Sequence, residues 1–138
     1  MPAPIVAAAA TILSYIAKKG FAAAIKKYGT KAVRNAEKQQ AKKIEEKATK
    51  QYKLGSDLEK QNVVAKFFNP TGDGTWYLMN MQGKDYAWGI VDWIGLEIGS
   101  FSINELEEVK LPFGMGIERD IYFEEVPAID IWNKLSNR

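Results

Sequence analysis

Four carboxylates in the second half of the chain, Asp92, Glu97, Glu118 and Asp120, are of a type that holds Mg²⁺ or Mn²⁺ when brought together. Two of them flank an arginine in "GMGIERDIYFEEVP", where Glu118-Arg119-Asp120 leads into an alternating apolar run. The chain has no histidine and no cysteine. Serine triads, cysteine dyads, thiolate metal sites and ordinary zinc sites are therefore excluded, and any catalysis rests on carboxylates, Lys, Arg or Tyr. Alternation along a strand sends Glu118 and Asp120 to one face and Arg119 to the other, so the triplet cannot converge by itself. Acidic residues on strand edges and turns are usually solvated, and the stronger reading of Arg119 is an arginine paired with Glu97 or Asp92. "PTGDG" lacks the Lys-Ser/Thr ending of a phosphate loop and reads as a hairpin turn. No residue is assigned a catalytic role, and no cofactor or metal is expected.

The elements that must position these residues follow from periodicity. "NVVAKFF", "TWYLMNM" and "YAWGIVDWI" are β-rich runs separated by the turn clusters "NPTGDG" and "QGKD", which predicts an antiparallel meander. "GLEIGSFS" reads as a further strand. Ser102 and Glu105 in "SINELEEVK" form a capping box for a short helix, and Pro127 can open a last one over "PAIDIWNKL". "GIERDIYFEE" reads as another strand, with Ile117, Arg119, Ile121 and Phe123 on one face and Glu118, Asp120 and Tyr122 on the other. Trp76 and Tyr77 point to opposite faces, so one face is expected to pack a core while the other offers an aromatic patch to a protein partner.

The first part of the chain is different in kind. Residues 1–60 hold 13 Lys/Arg against 5 Asp/Glu, and residues 61–138 hold 6 against 12, so a net +2 divides into +8 and −6. This predicts a basic helical arm over residues 1–55 and an acidic α+β domain over residues 56–138. Pro4 to Ala17 is uncharged but reaches only about 21 Å as a helix, short of a bilayer core of about 30 Å. No positive side chain precedes it, which makes it a poor secretory signal. Phe21, Ile25, Tyr28 and Ala32 then form one helical stripe, with Lys27, Lys31, Arg34 and Lys38 on another face. Ile5, Ile12 and Ile16 would project opposite the Phe21 stripe on a straight helix. Either the chain bends at Gly20, or the first segment is enclosed on all sides. Beyond Arg34, Ala41, Ile44, Ala48 and Tyr52 leave only a thin apolar stripe, ending near Gly55.

Three hosts suit this arm: its own domain or a homo-oligomer, a membrane surface, or nucleic acid. On a membrane, Ile5, Ile12, Ile16, Phe21, Ile25 and Tyr28 would enter the acyl boundary, while Lys18, Lys19, Lys26, Lys27, Lys31 and Arg34 would meet anionic head groups. The lysines also suit phosphate, although arginine is scarce.

"KFFNPTGDGTWYLMNM", "YAWGIVD", "EIGSFSINELEEV" and "GMGIERDIYF", in that order, resemble an uncharacterised domain of unknown function, the DUF2958 family, met on plasmids, integrative elements and phages. The resemblance covers residues 63–124, with Trp76, Glu97, Glu118, Arg119 and Asp120 as its signature, and leaves the arm outside. It implies a mobile-element or viral setting and supplies no mechanism. The resulting expectation is a non-enzymatic accessory or structural protein. Its arm would attach to a membrane surface or an assembly, and its acidic domain would bind a protein. In a phage with an internal membrane this layout suits a minor virion protein, and the expected location is the virion or the host cytoplasm, with or without membrane association. The alternatives are a nucleic-acid-binding accessory protein of DNA transfer or packaging, and a Mg²⁺- or Mn²⁺-dependent enzyme.

Overall fold

A computed structural model of the chain describes residues 8–138. By its contacts the chain divides into two compact units, Met1–Lys43 and Ile44–Arg138.

The first unit is helical. Helix α1 spans Ala9–Lys19 and α2 spans Phe21–Tyr28, while α3, Thr30–Gln51, begins here and runs on into the second unit. Alanine-rich sequence favours helix throughout, and the breaks are made by glycine. Gly20 adopts φ 90, ψ 166 and Gly29 φ 91, ψ 154, a region essentially closed to residues with a Cβ. The chain therefore bends at Gly20, the first of the two alternatives. It also bends at Gly29, which divides the expected Phe21–Ala32 stripe between two helices. Ile12 and Ile16 on α1, Ala24 on α2, and Val33 and Ala36 on α3 are buried. Tyr15 and Tyr28 tie α1 to α2 edge to face, 5.5 Å between ring centroids, and the Lys27 ammonium lies 4.6 Å from the Tyr15 ring.

The second unit is α+β. Strands β1 (Asn62–Val63), β2 (Ala65–Phe68), β3 (Thr75–Gln82), β4 (Tyr86–Asp92) and β5 (Leu96–Ser102) lead to α4 (Ile103–Glu108). Strands β6 (Glu118–Arg119) and β7 (Val126–Pro127) and helix α5 (Ala128–Ser136) complete it. The main sheet is antiparallel throughout, in the order β5-β4-β3-β2-β6, and β1 pairs separately with β7. The predicted three-stranded meander is β2 to β4, and the further strand expected over "GLEIGSFS" extends it as β5.

Both faces of this sheet carry a core. On one, Ile44 and Ala48 of α3 and Ile103 pack with Ala65, Leu78, Met81, Ala87 and Phe101. On the other, Ala128, Ile131, Trp132 and Leu135 of α5 pack with Tyr77, Met79, Ile90, Leu96 and Ile98. Burying side chains as large as Leu78, Met79 and Ile90 contributes about 1.5–3 kcal/mol each. Leu78 and Met81 share a face although three residues apart, because the β3–β4 register slips between Leu78 and Asn80. Such a bulge resets the alternation by one residue.

The two buried polar residues beside this bulge, Gln61 and Asn80, are hydrogen-bonded. Asn80 donates through Nδ2 to the Gly55 carbonyl and to Gln61 Oε1, each at 2.8 Å. Gln61 Nε2 in turn donates to the carbonyls of Gly55 and Asp57. Gln51, at the end of α3, donates to the carbonyls of Asn62 and Met79 and accepts the Asn62 N–H, which fixes the helix to β1 and β3.

Candidate functional site

The four candidate metal ligands are dispersed by the topology. Glu97 is on β5 and Glu118 on β6, opposite edges of the sheet and four strand spacings apart, roughly 19 Å. Asp92 on β4 is three spacings from Glu118, roughly 14 Å. Among the described residues no group of three His, Cys, Asp or Glu is placed to hold a metal ion.

The expected strand over "GIERDIYFEE" is two residues long, and the reason lies in Asp120. Its N–H donates to the Lys66 carbonyl, continuing the β6–β2 ladder by one bond. Its carboxylate then accepts the Tyr122 N–H at 2.9 Å and its carbonyl the Phe123 N–H at 3.2 Å, which turns the chain away. Asp120 is thus a turn former rather than a strand-face carboxylate, and it lies 3.8 Å from Lys66 Nζ.

Arg119 on β6 stands four strand spacings from Glu97 on β5 and three from Asp92 on β4. Glu97 is at the far edge, and both oxygens of Asp92 accept from Arg138, each at 3.0 Å. That bidentate pair fastens the end of α5 to β4. The Tyr77 phenol is pushed up by burial first and by the charge of Asp92 next, with Arg138 opposing and Asp120 adding.

Three signature residues do share a feature. Cross-strand register places Arg119, Phe67, Trp76, Val91 and Glu97 in one row across five strands, on one face. Trp76 and Tyr77 lie on opposite faces as predicted, but both are buried. The exposed aromatic surface lies instead at the β4–β5 hairpin tip, where Trp93 is 57 % and Ile94 92 % exposed. Trp93 leans on Trp76, 6.1 Å between ring centroids, over Gly74. A Cβ on Gly74 would lie 2.8 Å from the Trp76 ring, so glycine is what lets the two indoles meet there.

A second apolar prominence, which the sequence reading passed over, follows α4. Leu111 N–H donates to the Met115 carbonyl at 2.9 Å and closes a loop with Phe113 at its apex, 98 % exposed. The signal was present as "LPFGMG", a Pro-aromatic-Gly turn among apolar residues.

On the helical unit the basic side chains Lys18, Lys19, Lys26, Lys27, Lys31 and Arg34 are exposed. Phe21 (48 % exposed) and Ile25 (40 %) lie among them, one helical turn apart. Tyr28 is half-buried against Tyr15, beside a shallow groove lined by Ala10, Thr11, Ser14 and Lys18. Ile12 and Ile16, expected to face a host surface, are interior residues, whereas Phe21, just past the bend at Gly20, is exposed. Ile5 lies outside the described residues. No helix among the described residues is long and apolar enough to cross a membrane.

A family model described as "Protein of unknown function (DUF2958)" covers residues 34–138, beginning inside α3 and taking in the whole sheet and α5. No curated protein and no solved structure matches.

Proposed function

Because the chain belongs to the DUF2958 family, whose description assigns no activity, we propose a function from its own charge and geometry: a non-enzymatic accessory protein of a phage or mobile element, built as a two-part adaptor. The helical unit attaches to an anionic membrane surface, and the acidic α+β unit presents an apolar prominence to a protein. The phage or plasmid setting rests on the resemblance alone.

The observation that carries the reading is the coincidence of charge with architecture. Residues 1–43 hold nine Lys/Arg and one Asp/Glu, a balance of +8, while residues 44–138 hold ten against sixteen, a balance of −6. Residues 44–60 are neutral, with four of each sign, so the whole positive excess belongs to the first unit. Each lysine near an anionic leaflet contributes about 1 kcal/mol, so four or more acting together suffice for peripheral binding. With Ile12 and Ile16 interior, the apolar contribution to membrane contact comes from Phe21 and Ile25, and lysine attraction dominates.

Vesicle flotation tests this directly. The protein is expected to float with phosphatidylglycerol-containing vesicles, to stay behind with phosphatidylcholine alone, and to lose most binding as salt shortens the screening length. A gel-shift series with duplex DNA run in parallel decides between hosts. Retention on DNA at lower protein concentration than on anionic vesicles would replace the membrane by nucleic acid.

A further inference from the structure

The loop over residues 109–116 holds an aromatic side chain at an exposed apex in a strained backbone conformation. Phe113 sits at φ 63, ψ 26, a left-handed conformation that a bulky residue adopts only under constraint. Pro112 before it, Gly114 after it and the Leu111–Met115 hydrogen bond supply that constraint. The ring is almost fully exposed, and Val109 and Met115 beside it are exposed as well. The conformation is held, yet within the chain the ring gains almost no burial from it. Around this apolar apex the nearby sequence is acidic: Glu105, Glu107, Glu108 and Glu118 are all exposed, while Lys110 is the one cation between Glu105 and Glu118 and Arg119 after them is half-buried.

The same chain carries a surface of the converse kind. Phe21 and Ile25, one turn apart, form a small exposed apolar centre on α2, and Lys18, Lys19, Lys26 and Lys27, close to them in sequence, are exposed as well. An apolar centre with acidic residues near it matches an apolar centre with basic residues near it, the usual anatomy of a protein interface with complementary charge. We propose that the Phe113 loop docks on the α2 surface of a second copy, joining copies head to tail. The two partners use different patches, so each new copy leaves one patch of each kind free, and growth continues into a ring or an open chain. This deepens the adaptor reading by naming the protein partner of the acidic unit. It also makes lipid and the second copy competitors for the same lysines.

Sedimentation velocity on the full chain, over a range of protein and salt concentrations, tests the proposal. At low salt the mass is expected to rise past the dimer with concentration, and to return to the monomer at high salt. Phe113→Asn removes the ring and suits the left-handed backbone, and it should leave a monomer with an unchanged circular dichroism spectrum. The combined Lys18→Glu, Lys19→Glu, Lys26→Glu and Lys27→Glu variant should also be monomeric, and Phe21→Ala serves if that variant is unstable. Mixed in equal amounts, the loop variant and the basic-face variant retain one intact interface between them and should form a dimer that grows no further. A wild-type chain that stays monomeric, a Phe113→Asn variant that associates like wild type, or a mixture that stays monomeric would each overturn the proposal. Flotation of Phe113→Asn separates the two readings: binding to anionic vesicles that survives alongside a monomeric wild type leaves the membrane proposal standing and removes only this one.

Discussion

At the scale of single residues, two backbone positions decide what the α+β unit displays. Gly74, at φ 127, lies against the Trp76 indole at a distance that excludes a Cβ. Gly74→Ala should lower stability by about 1–3 kcal/mol through strain and the displaced ring, measured by urea denaturation. Gly95→Ala has open space at its site and an ordinary φ, and should leave the midpoint almost unchanged. Phe113 makes the opposite prediction. Phe113→Asn should raise stability by about 1 kcal/mol, because asparagine tolerates the left-handed region and little burial is lost. A substitution that stabilises the monomer while abolishing association would separate display from folding. Neither position is legible as a contact in the sequence. "PTGDG" announces a turn, but the arrival of Trp93 over it depends on a strand pairing 17 residues further on, Asp92 with Thr75.

At the scale of elements, the capping of α4 shows how a local signal is completed by a distant one. Ser102 Oγ accepts the Glu105 N–H at 3.1 Å, as the capping box predicts. The same hydroxyl donates to Asp85 Oδ1 at 2.6 Å, and that oxygen also accepts the Asn104 N–H. Asp85, from the β3–β4 turn, thereby caps a helix 17 residues away. The Ser102 hydroxyl and then the Asn104 N–H hold its carboxyl below the ordinary carboxylate value. Glu125 is lowered likewise, first by its hydrogen bond from Lys47 and also by Asn62. A carboxylate depressed in the fold contributes stability above its unfolded pKa and loses it as pH falls through the folded value. Thermal midpoints should therefore fall as pH drops below about 4, and Asp85→Asn or Glu125→Gln should each flatten that slope. Helix breaks follow the same logic of local geometry. Gly20→Ala with Gly29→Ala removes the two residues able to adopt the observed bends, and should weaken the near-ultraviolet signal of the Tyr15–Tyr28 pair while far-ultraviolet helicity is kept or increased.

For the molecule as a whole, function is proposed to follow from the placement of charge. Lys26→Glu with Lys27→Glu should reduce anionic-vesicle binding at least tenfold, whereas the same charge change at Lys84 and Lys134 of the acidic unit should leave it nearly unaltered, both read by flotation. Much of this organisation is written locally in the chain. The absence of His and Cys, the charge asymmetry, the helical stripes, the turn clusters and the order of the meander depend on near neighbours, and from them come the α+β class, the sheet and the family. Tertiary structure decided what near neighbours cannot specify. β6 joins the β2 edge and so separates Glu118 from Glu97 and Asp92, the bulge beside Asn80 resets the faces of β3, and α5 with the last turns of α3 covers both sides of the sheet. Strand order and helix docking are set by burying surfaces distant in sequence, so whether a carboxylate finds a partner, or an aromatic finds shelter, is decided only when those surfaces meet.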